Sequence, residues 1–149
     1  MCWSEVLLGS SEVELKTPIL GSLATSLVVA IGYLTGVFGS ASFASWGGPS
    51  PPLVATLIAI LSSGTIASVR RGFILGVASS CLVFLSTGVV EVFFIYRGFT
   101  FAERLGYLRD LEFLIISWGC VFGTIGWVSG ELLRRKIEDG EWYASTRIS

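Results

Sequence analysis

Three residue types are missing from this sequence, which contains no histidine, no asparagine and no glutamine. Without histidine, catalytic triads with an imidazole base, HExxH metalloenzyme sites and haem ligation by imidazole are excluded. Without asparagine and glutamine, N-glycosylation and carboxamide-lined pores are excluded as well. The chemistry that remains comes chiefly from carboxylates, arginines, hydroxyls and thiols.

Charged residues are also scarce, at 14% of the chain, and their arrangement argues against nucleic-acid binding. The basic residues lie in short clusters at the edges of apolar runs, whereas a nucleic-acid interface needs them along one face. Three cysteines, Cys2, Cys81 and Cys120, show no CxxC spacing, so no disulfide framework or zinc site is predicted. We expect no nucleic-acid partner, no metal and no other cofactor.

Apolar residues, by contrast, are abundant, since 52% of the 149 residues are hydrophobic and the mean hydropathy is +0.76. A soluble domain of this length carries less apolar and more charged surface. The excess apolar surface is stable in lipid, where it needs no burial inside the protein. The composition therefore predicts an integral membrane protein whose main partner is the lipid bilayer.

Four apolar segments are long enough to cross a bilayer, and none of them contains Lys or Arg. A spanning helix needs about 20 mostly apolar residues, because about 30 Å of hydrocarbon is covered at about 1.5 Å per residue. The predicted fold is an all-α membrane protein, an antiparallel bundle of four transmembrane helices within residues 17–133. A cytosolic leader, 1–16, precedes the bundle and a cytosolic tail, 134–149, follows it. The predicted spans are 18–39, 51–69, 72–96 and 111–133.

The starts of the first two spans are marked by a hydroxyl residue before a proline, in Thr17-Pro18 and Ser50-Pro51. Between the second and third spans only Arg70 and Arg71 precede Gly72, which predicts a tight connection. The second span is the shortest and the richest in Ser and Thr. A re-entrant segment therefore remains the alternative for it.

The orientation follows from Lys and Arg near the ends of the spans, which favour the cytoplasmic side. With four spans, one side of the membrane collects Lys16, Arg70, Arg71, Arg134, Arg135 and Lys136, and the other collects Arg97, Arg104 and Arg109. The excess on the first side predicts a multi-pass protein of the cell membrane with both termini in the cytoplasm.

The segment between the third and fourth spans has the pattern of a short amphipathic helix. Thr100 and Glu103 form a T-x-x-E capping box, and Phe101, Leu105 and Leu108 recur at i, i+4 and i+7. The pattern predicts a short interfacial helix that lies on the membrane surface. It is either a simple connector or a functional lid.

Small residues recur at helical spacing in three of the spans. Helices in lipid associate through close backbone approach, which favours small side chains at their contacts. On the fourth span the glycines are spaced by 4, 3 and 4 residues and therefore share one stripe. The predicted packing residues are Gly21, Gly32, Gly36, Gly39, Gly72, Gly76, Gly119, Gly123, Gly126 and Gly130. This packing lies either within the bundle or between protomers.

Glu91 is the acidic residue that lies deepest in a predicted span. It precedes Tyr96 by five residues, hence lies roughly 8 Å below the outer boundary of the hydrocarbon, where an acid is costly. A helical wheel places it one turn after Thr87, facing the bundle. One hypothesis is a proton or cation site formed by Glu91 and Thr87. The other is a structural acid that snorkels outward, bonds Thr87, or pairs with Arg97 or another outer-loop arginine.

Two functional hypotheses follow from these patterns. The first is a small non-enzymatic membrane subunit or homo-oligomer, packed through its small-residue faces against copies of itself or other membrane subunits. The alternative is a minimal transporter or channel for protons, cations or a small solute that uses Glu91. We expect no enzymatic activity, because the hydroxyl residues in the spans lack a base and the few carboxylates match no catalytic spacing.

Overall fold

The computed structural model of the chain describes residues 16–38, 52–70, 72–95 and 98–146. Within these ranges every regular element is helical, which confirms the predicted all-α class. The helices are α1 (Lys16–Leu34), α2 (Leu53–Arg70), α3 (Phe73–Val90) and α4 (Phe101–Thr146), and α3 continues into one π-helical turn, Glu91–Ile95.

The first helix starts close to its predicted position. It begins at Lys16, one residue before the predicted cap, Thr17. Pro18 consequently lies inside the first turn, where the missing N–H breaks no helical hydrogen bond. The cap predicted for the second span at Ser50-Pro51 falls outside the described residues, and the first turn of α2 is closed by the Thr56 N–H, which donates to the Pro52 carbonyl at 2.9 Å.

The first helix ends earlier than the predicted span, which ran to residue 39. After Leu34 the backbone turns at Gly36, whose φ is 76°, a left-handed conformation that glycine adopts without steric cost. Phe38 then folds back on the helix, because its ring packs edge-to-face on the ring of Tyr33 with centroids 5.7 Å apart. A glycine in this conformation ends the helix and explains why α1 is shorter than the apolar run.

The second and third helices follow each other with only two residues between them, as the sequence predicts. Gly72 caps α3 in an extended conformation, with φ −71° and ψ 100°. The third helix and its π-helical turn together cover residues 73–95, close to the predicted 72–96.

The prediction of a separate interfacial helix is wrong, because residues 101–146 form one continuous helix. The predicted capping box is confirmed at its start: the Glu103 carboxylate accepts from the Thr100 N–H at 2.7 Å and from the Thr100 hydroxyl at 2.8 Å. No proline interrupts the chain between this start and the fourth apolar run, so the helical hydrogen bonds continue. The helix also continues through most of the predicted tail, as far as Thr146.

The core of the bundle is centred on α3. Phe84 is the largest fully buried side chain, and its ring lies against those of Trp118 and Phe122 on α4, with centroid distances of 6.2 and 5.9 Å. The first helix contributes Val29 and Tyr33 to the same core. The Tyr33 hydroxyl also accepts a hydrogen bond from the Ala55 N–H of α2 at 3.0 Å, which joins α1 to α2.

Three helices among the described residues are long and apolar enough to cross a membrane: Lys16–Leu34, Phe73–Phe94 and a part of Phe101–Glu138. The second helix has a shorter apolar run, Leu53–Val69. Large apolar side chains stay exposed on the bundle, including Leu20 (64%), Leu61 (68%) and Phe113 (76%). Such a surface suits lipid tails and would be unstable in water.

Candidate functional sites

Glu91 lies at the end of α3, at the first position of the π-helical turn. Only 1% of its surface is exposed, so its side chain points into the protein. Thr87 lies one turn earlier and is fully buried, with its hydroxyl donating to the Val83 carbonyl at 2.9 Å. The structure therefore brings Glu91 and Thr87 together on one buried face.

Arg104 connects the start of α4 to the π-helical turn that begins at Glu91. Its guanidinium donates to the Phe93 carbonyl at 3.2 Å and to the Phe99 carbonyl at 3.0 Å. The first bond gives a carbonyl of the π-helical turn a side-chain partner from α4. The sequence shows Arg104 only as a charge near a span, because the contact depends on how the connecting segment folds back.

The four glycines of the predicted stripe on α4, Gly119, Gly123, Gly126 and Gly130, lie where its backbone approaches two other helices. Gly119 and Gly123 face α3, and a Cβ at Gly123 would lie 2.9 Å from the Val77 Cα. Gly126 and Gly130 face α2, where a Cβ would collide with the carbonyls of Ile60 and Gly64. Only glycine fits at such distances, so this stripe is filled by helices of the same chain.

The other predicted packing glycines have different surroundings. Gly76 lies close to α2, since a Cβ there would be 2.7 Å from the Ser63 hydroxyl. Gly32 faces the ring of Phe38, and Gly21 and Gly36 have open space around them. Gly72 caps α3, and Gly39 lies outside the described residues.

Two serines form hydrogen bonds between helices. The Ser63 hydroxyl donates to the Gly123 carbonyl of α4 at 2.6 Å, and the Ser80 hydroxyl donates to the Ala59 carbonyl of α2 at 3.2 Å. Both serines are fully buried. Hydrogen bonds of this kind hold membrane helices together where apolar packing gives little net driving force. The sequence identifies these residues as polar groups in a span but not their partners.

Glu131 is a second buried carboxylate, with 6% of its surface exposed. Its two oxygens accept from the guanidinium of Arg134 at 2.6 and 3.1 Å, and one of them also accepts from Arg135 at 3.1 Å. Arg134 additionally pairs with Glu138. These pairs neutralise the acid, which indicates a structural role for Glu131 at the end of the apolar part of α4.

These observations define a class of protein before they define a function. Apolar helices of spanning length, packed through glycines and buried serines, are those of a helical membrane protein. The chain matches no known family, and no curated protein or solved structure matches it either.

Proposed function

We propose that this chain is a non-enzymatic multi-pass membrane protein whose four helices cross the bilayer and which assembles with copies of itself or with other membrane subunits. The position of α2 among its neighbours supports the number of spans. The length of α4 supports the assembly.

The spanning role of α2 is supported by the helices around it. Its apolar run of 17 residues covers about 26 Å at about 1.5 Å per residue, close to the thickness of the hydrocarbon. Ser63 lies beside Gly76 of α3 and Ser80 beside Ala59, so the two helices run in opposite directions. A helix that lies continuously along two spanning neighbours shares their depth, which favours a span over a re-entrant segment.

The same reasoning supports an antiparallel bundle. Cys81 of α3 lies beside Gly119 of α4, and Val77 lies beside Gly123, so residue numbers rise along one helix as they fall along the other. By contrast, Gly64 of α2 lies beside Gly130, and Ile60 lies beside Gly126, which indicates parallel neighbours. These directions are the ones expected if successive helices cross the membrane in alternating directions.

The assembly is supported by one observation, the length of α4. Its 46 residues extend over about 69 Å at about 1.5 Å per residue, more than twice the hydrocarbon thickness. Because Gly64 lies beside Gly130, the end of α2 is level with the region of Lys136, and the helical backbone of α4 continues beyond it to Thr146. Most helical stability in proteins comes from packing against other elements, so packing of this arm against another protein would explain why the helix continues.

The assembly is tested by removing this arm. A chain that ends at Glu138 keeps the bundle and lacks the distal arm. We expect the full-length protein to be oligomeric in native mass spectrometry from mild detergent and the shortened chain to be monomeric. Equal stoichiometry of the two chains would contradict a role of the arm in assembly. Gly106→Ala, a change in open space at the other end of α4, serves as the control and leaves the stoichiometry unchanged.

A second candidate function, transport of protons or cations, is favoured by the position of Glu91. The acid is buried inside the bundle, and it starts a π-helical turn, an element that occurs frequently at functional sites. A buried carboxylate that changes protonation would couple a proton to a rearrangement of α3 and α4.

Transport is tested in liposomes that carry a pH gradient. Glu91→Gln keeps the shape of the side chain but removes its charge, so it abolishes a proton flux that depends on this carboxyl. Glu112→Gln is the control, because Glu112 is an exposed acid of α4. If liposomes with the wild-type protein keep their gradient as long as empty ones, proton transport is excluded and the subunit function remains.

A further inference from the structure

A cavity of about 280 Å³ lies between α1, α2 and α3. Six of its ten lining residues carry a hydroxyl group, and among the described residues the lining contains no charged side chain. The lining residues are Thr17, Pro18, Gly21, Ser22, Thr25, Ser62, Thr65, Ile66, Val69 and Ser79. This hydroxyl cavity is separate from Glu91 and from the glycine contacts of α4.

Four of the hydroxyls present acceptor atoms to the cavity. Ser22 and Thr25 of α1 donate to carbonyls of their own helix at 2.8 and 2.9 Å, and Ser62 and Thr65 of α2 do the same at 3.1 and 2.8 Å. A hydroxyl has one proton and two lone pairs, so a group that has donated its proton can only accept from an occupant. The wall therefore suits molecules that donate hydrogen bonds.

Ser79 supplies an independent sign of an occupant. It is 1% exposed, and its Oγ forms no hydrogen bond within the part of the chain that the structure describes. Ser26, two turns beyond Thr17 along α1, has a buried Oγ in the same condition. Leaving a buried hydroxyl unsatisfied costs free energy. Because Ser79 lines the cavity, rotation of its side chain towards the cavity would let an occupant recover this cost.

One end of the hydroxyl cavity lies at the edge of the bundle. Thr17 and Pro18 belong to the first turn of α1, and Val69 belongs to the last turn of α2. Their neighbours in sequence are Lys16 and Arg70, cations that are stable at a polar boundary and not in hydrocarbon. From Thr17 to Thr25 the cavity extends about 12 Å inwards at about 1.5 Å per residue.

We propose that the hydroxyl cavity is a hydrated pocket, open to the basic side of the membrane, that binds water and small uncharged molecules that donate hydrogen bonds. Its volume far exceeds the ~10–15 Å³ that one water requires. Its hydroxyl wall gives a lipid tail no advantage, and the uncharged lining offers no counter-charge to an ion. The inference goes beyond the proposed function but rests on the proposed insertion of α2.

The test compares two neighbouring positions of α2 in proteoliposomes. Ser62 lines the cavity, whereas Leu61 is exposed to lipid at almost the same depth. Ser62→Cys and Leu61→Cys are treated on both sides with a charged, membrane-impermeant methanethiosulfonate, and labelling is followed peptide by peptide. We expect Ser62→Cys to react about tenfold faster or more, because only the thiolate reacts and it forms only where water is present.

A second variant fills the cavity. Gly21 lines it and has open space where a Cβ would stand, so Gly21→Leu should displace the water and slow the labelling of Ser62→Cys. Gly106→Leu, which also enters open space but lies in α4, should leave the rate unchanged.

The outcomes separate this inference from the proposed function. Slow labelling at both positions would overturn the hydrated pocket, with lipid tails or a second copy of the chain as the occupant, and would leave four spans standing. Fast labelling at both positions would show that α2 lies outside the hydrocarbon, which would overturn the inserted pocket together with the fourth span.

Discussion

At the scale of single residues, the approach of α2 and α4 depends on Gly130. A Cβ at this position would collide with the backbone carbonyl of Gly64, and a backbone atom cannot move aside as a flexible side chain can. Ser63 adds a hydrogen bond to the same interface, through the Gly123 carbonyl at 2.6 Å. The contact therefore combines close packing with a bond that only close packing permits.

Gly130→Ala is expected to destabilise the bundle, because the added methyl group forces α2 and α4 apart. Overpacking of this kind costs typically about 1–3 kcal/mol. Gly106→Ala is the matched control in the same helix, since its methyl group enters open space and alanine is better than glycine in a helix by roughly 0.5–1 kcal/mol. Unfolding in mixed SDS micelles, followed by tryptophan fluorescence, measures the stability of both variants. Equal stability of the two variants would contradict the close contact.

The glycine pattern also shows what the sequence reveals at this scale. Spacings of 4, 3 and 4 residues place Gly119, Gly123, Gly126 and Gly130 on one stripe, because the helical repeat is known in advance. The sequence does not reveal that half of the stripe faces α3 and the other half α2. It likewise cannot pair Ser63 with Gly123, because residues so distant along the chain meet only through the crossing of two helices.

At the scale of elements, the start of α4 is set by its capping box. The hydrogen bonds from the Thr100 N–H and then the Thr100 hydroxyl lower the pKa of the Glu103 carboxyl. Glu103 precedes the apolar run 111–133 and therefore lies in water. Since its pKa is lowered by folding, the contribution of the cap is complete above the ordinary pKa of a glutamate and is lost as the pH falls through the lowered value.

Thr100→Ala removes the hydroxyl partner and is expected to move the pKa of Glu103 back towards its ordinary range. The first turn of α4 then frays at a higher pH than in the wild type. NMR titration of the amide signals of residues 100–104 in micelles follows both effects. Thr124→Ala, which removes a hydroxyl that bonds only the Cys120 carbonyl of the same helix, should leave this titration unchanged. An unaltered titration in Thr100→Ala would show that the cap is absent in solution.

The capping box explains both a success and an error of prediction. Its T-x-x-E pattern locates a helix start correctly, because the bonds are local and involve residues three apart. The prediction that this helix is short and separate from the fourth span, 111–133, is wrong, because one helix covers both. A change in surroundings along a helix alters which side chains are favourable but leaves the backbone hydrogen bonds intact. Continuity is decided by the absence of proline and of a terminating glycine conformation such as that of Gly36.

At the scale of the whole molecule, the described helices follow from composition, whereas the number of crossings does not. Apolar runs of sufficient length were recognisable in the sequence because hydrocarbon tolerates few charges. For α2, however, 17 residues lie at the lower limit of about 17–25 that a span requires. Whether α2 crosses the membrane is then decided by the direction in which the chain leaves it. That direction depends on the helices that pack against α2.

The crossing of α2 determines on which sides of the membrane the two ends of the chain lie. With four spans both ends share one side, together with Arg70 and Arg71, and the positive-inside rule makes that side cytoplasmic. If α2 were re-entrant, the ends would lie on opposite sides.

The sides of the two ends are tested by thiol labelling. The native Cys2 reports on the N-terminus and Ser149→Cys on the C-terminus, and Ser45→Cys marks the connection between α1 and α2. In right-side-out vesicles we expect an impermeant thiol reagent to label the Ser45→Cys variant and to leave both end positions unlabelled until the vesicles are opened. Labelling of one end alone would establish three crossings, and if that end is the C-terminus, the basic residues after α2 would lie on the outer side.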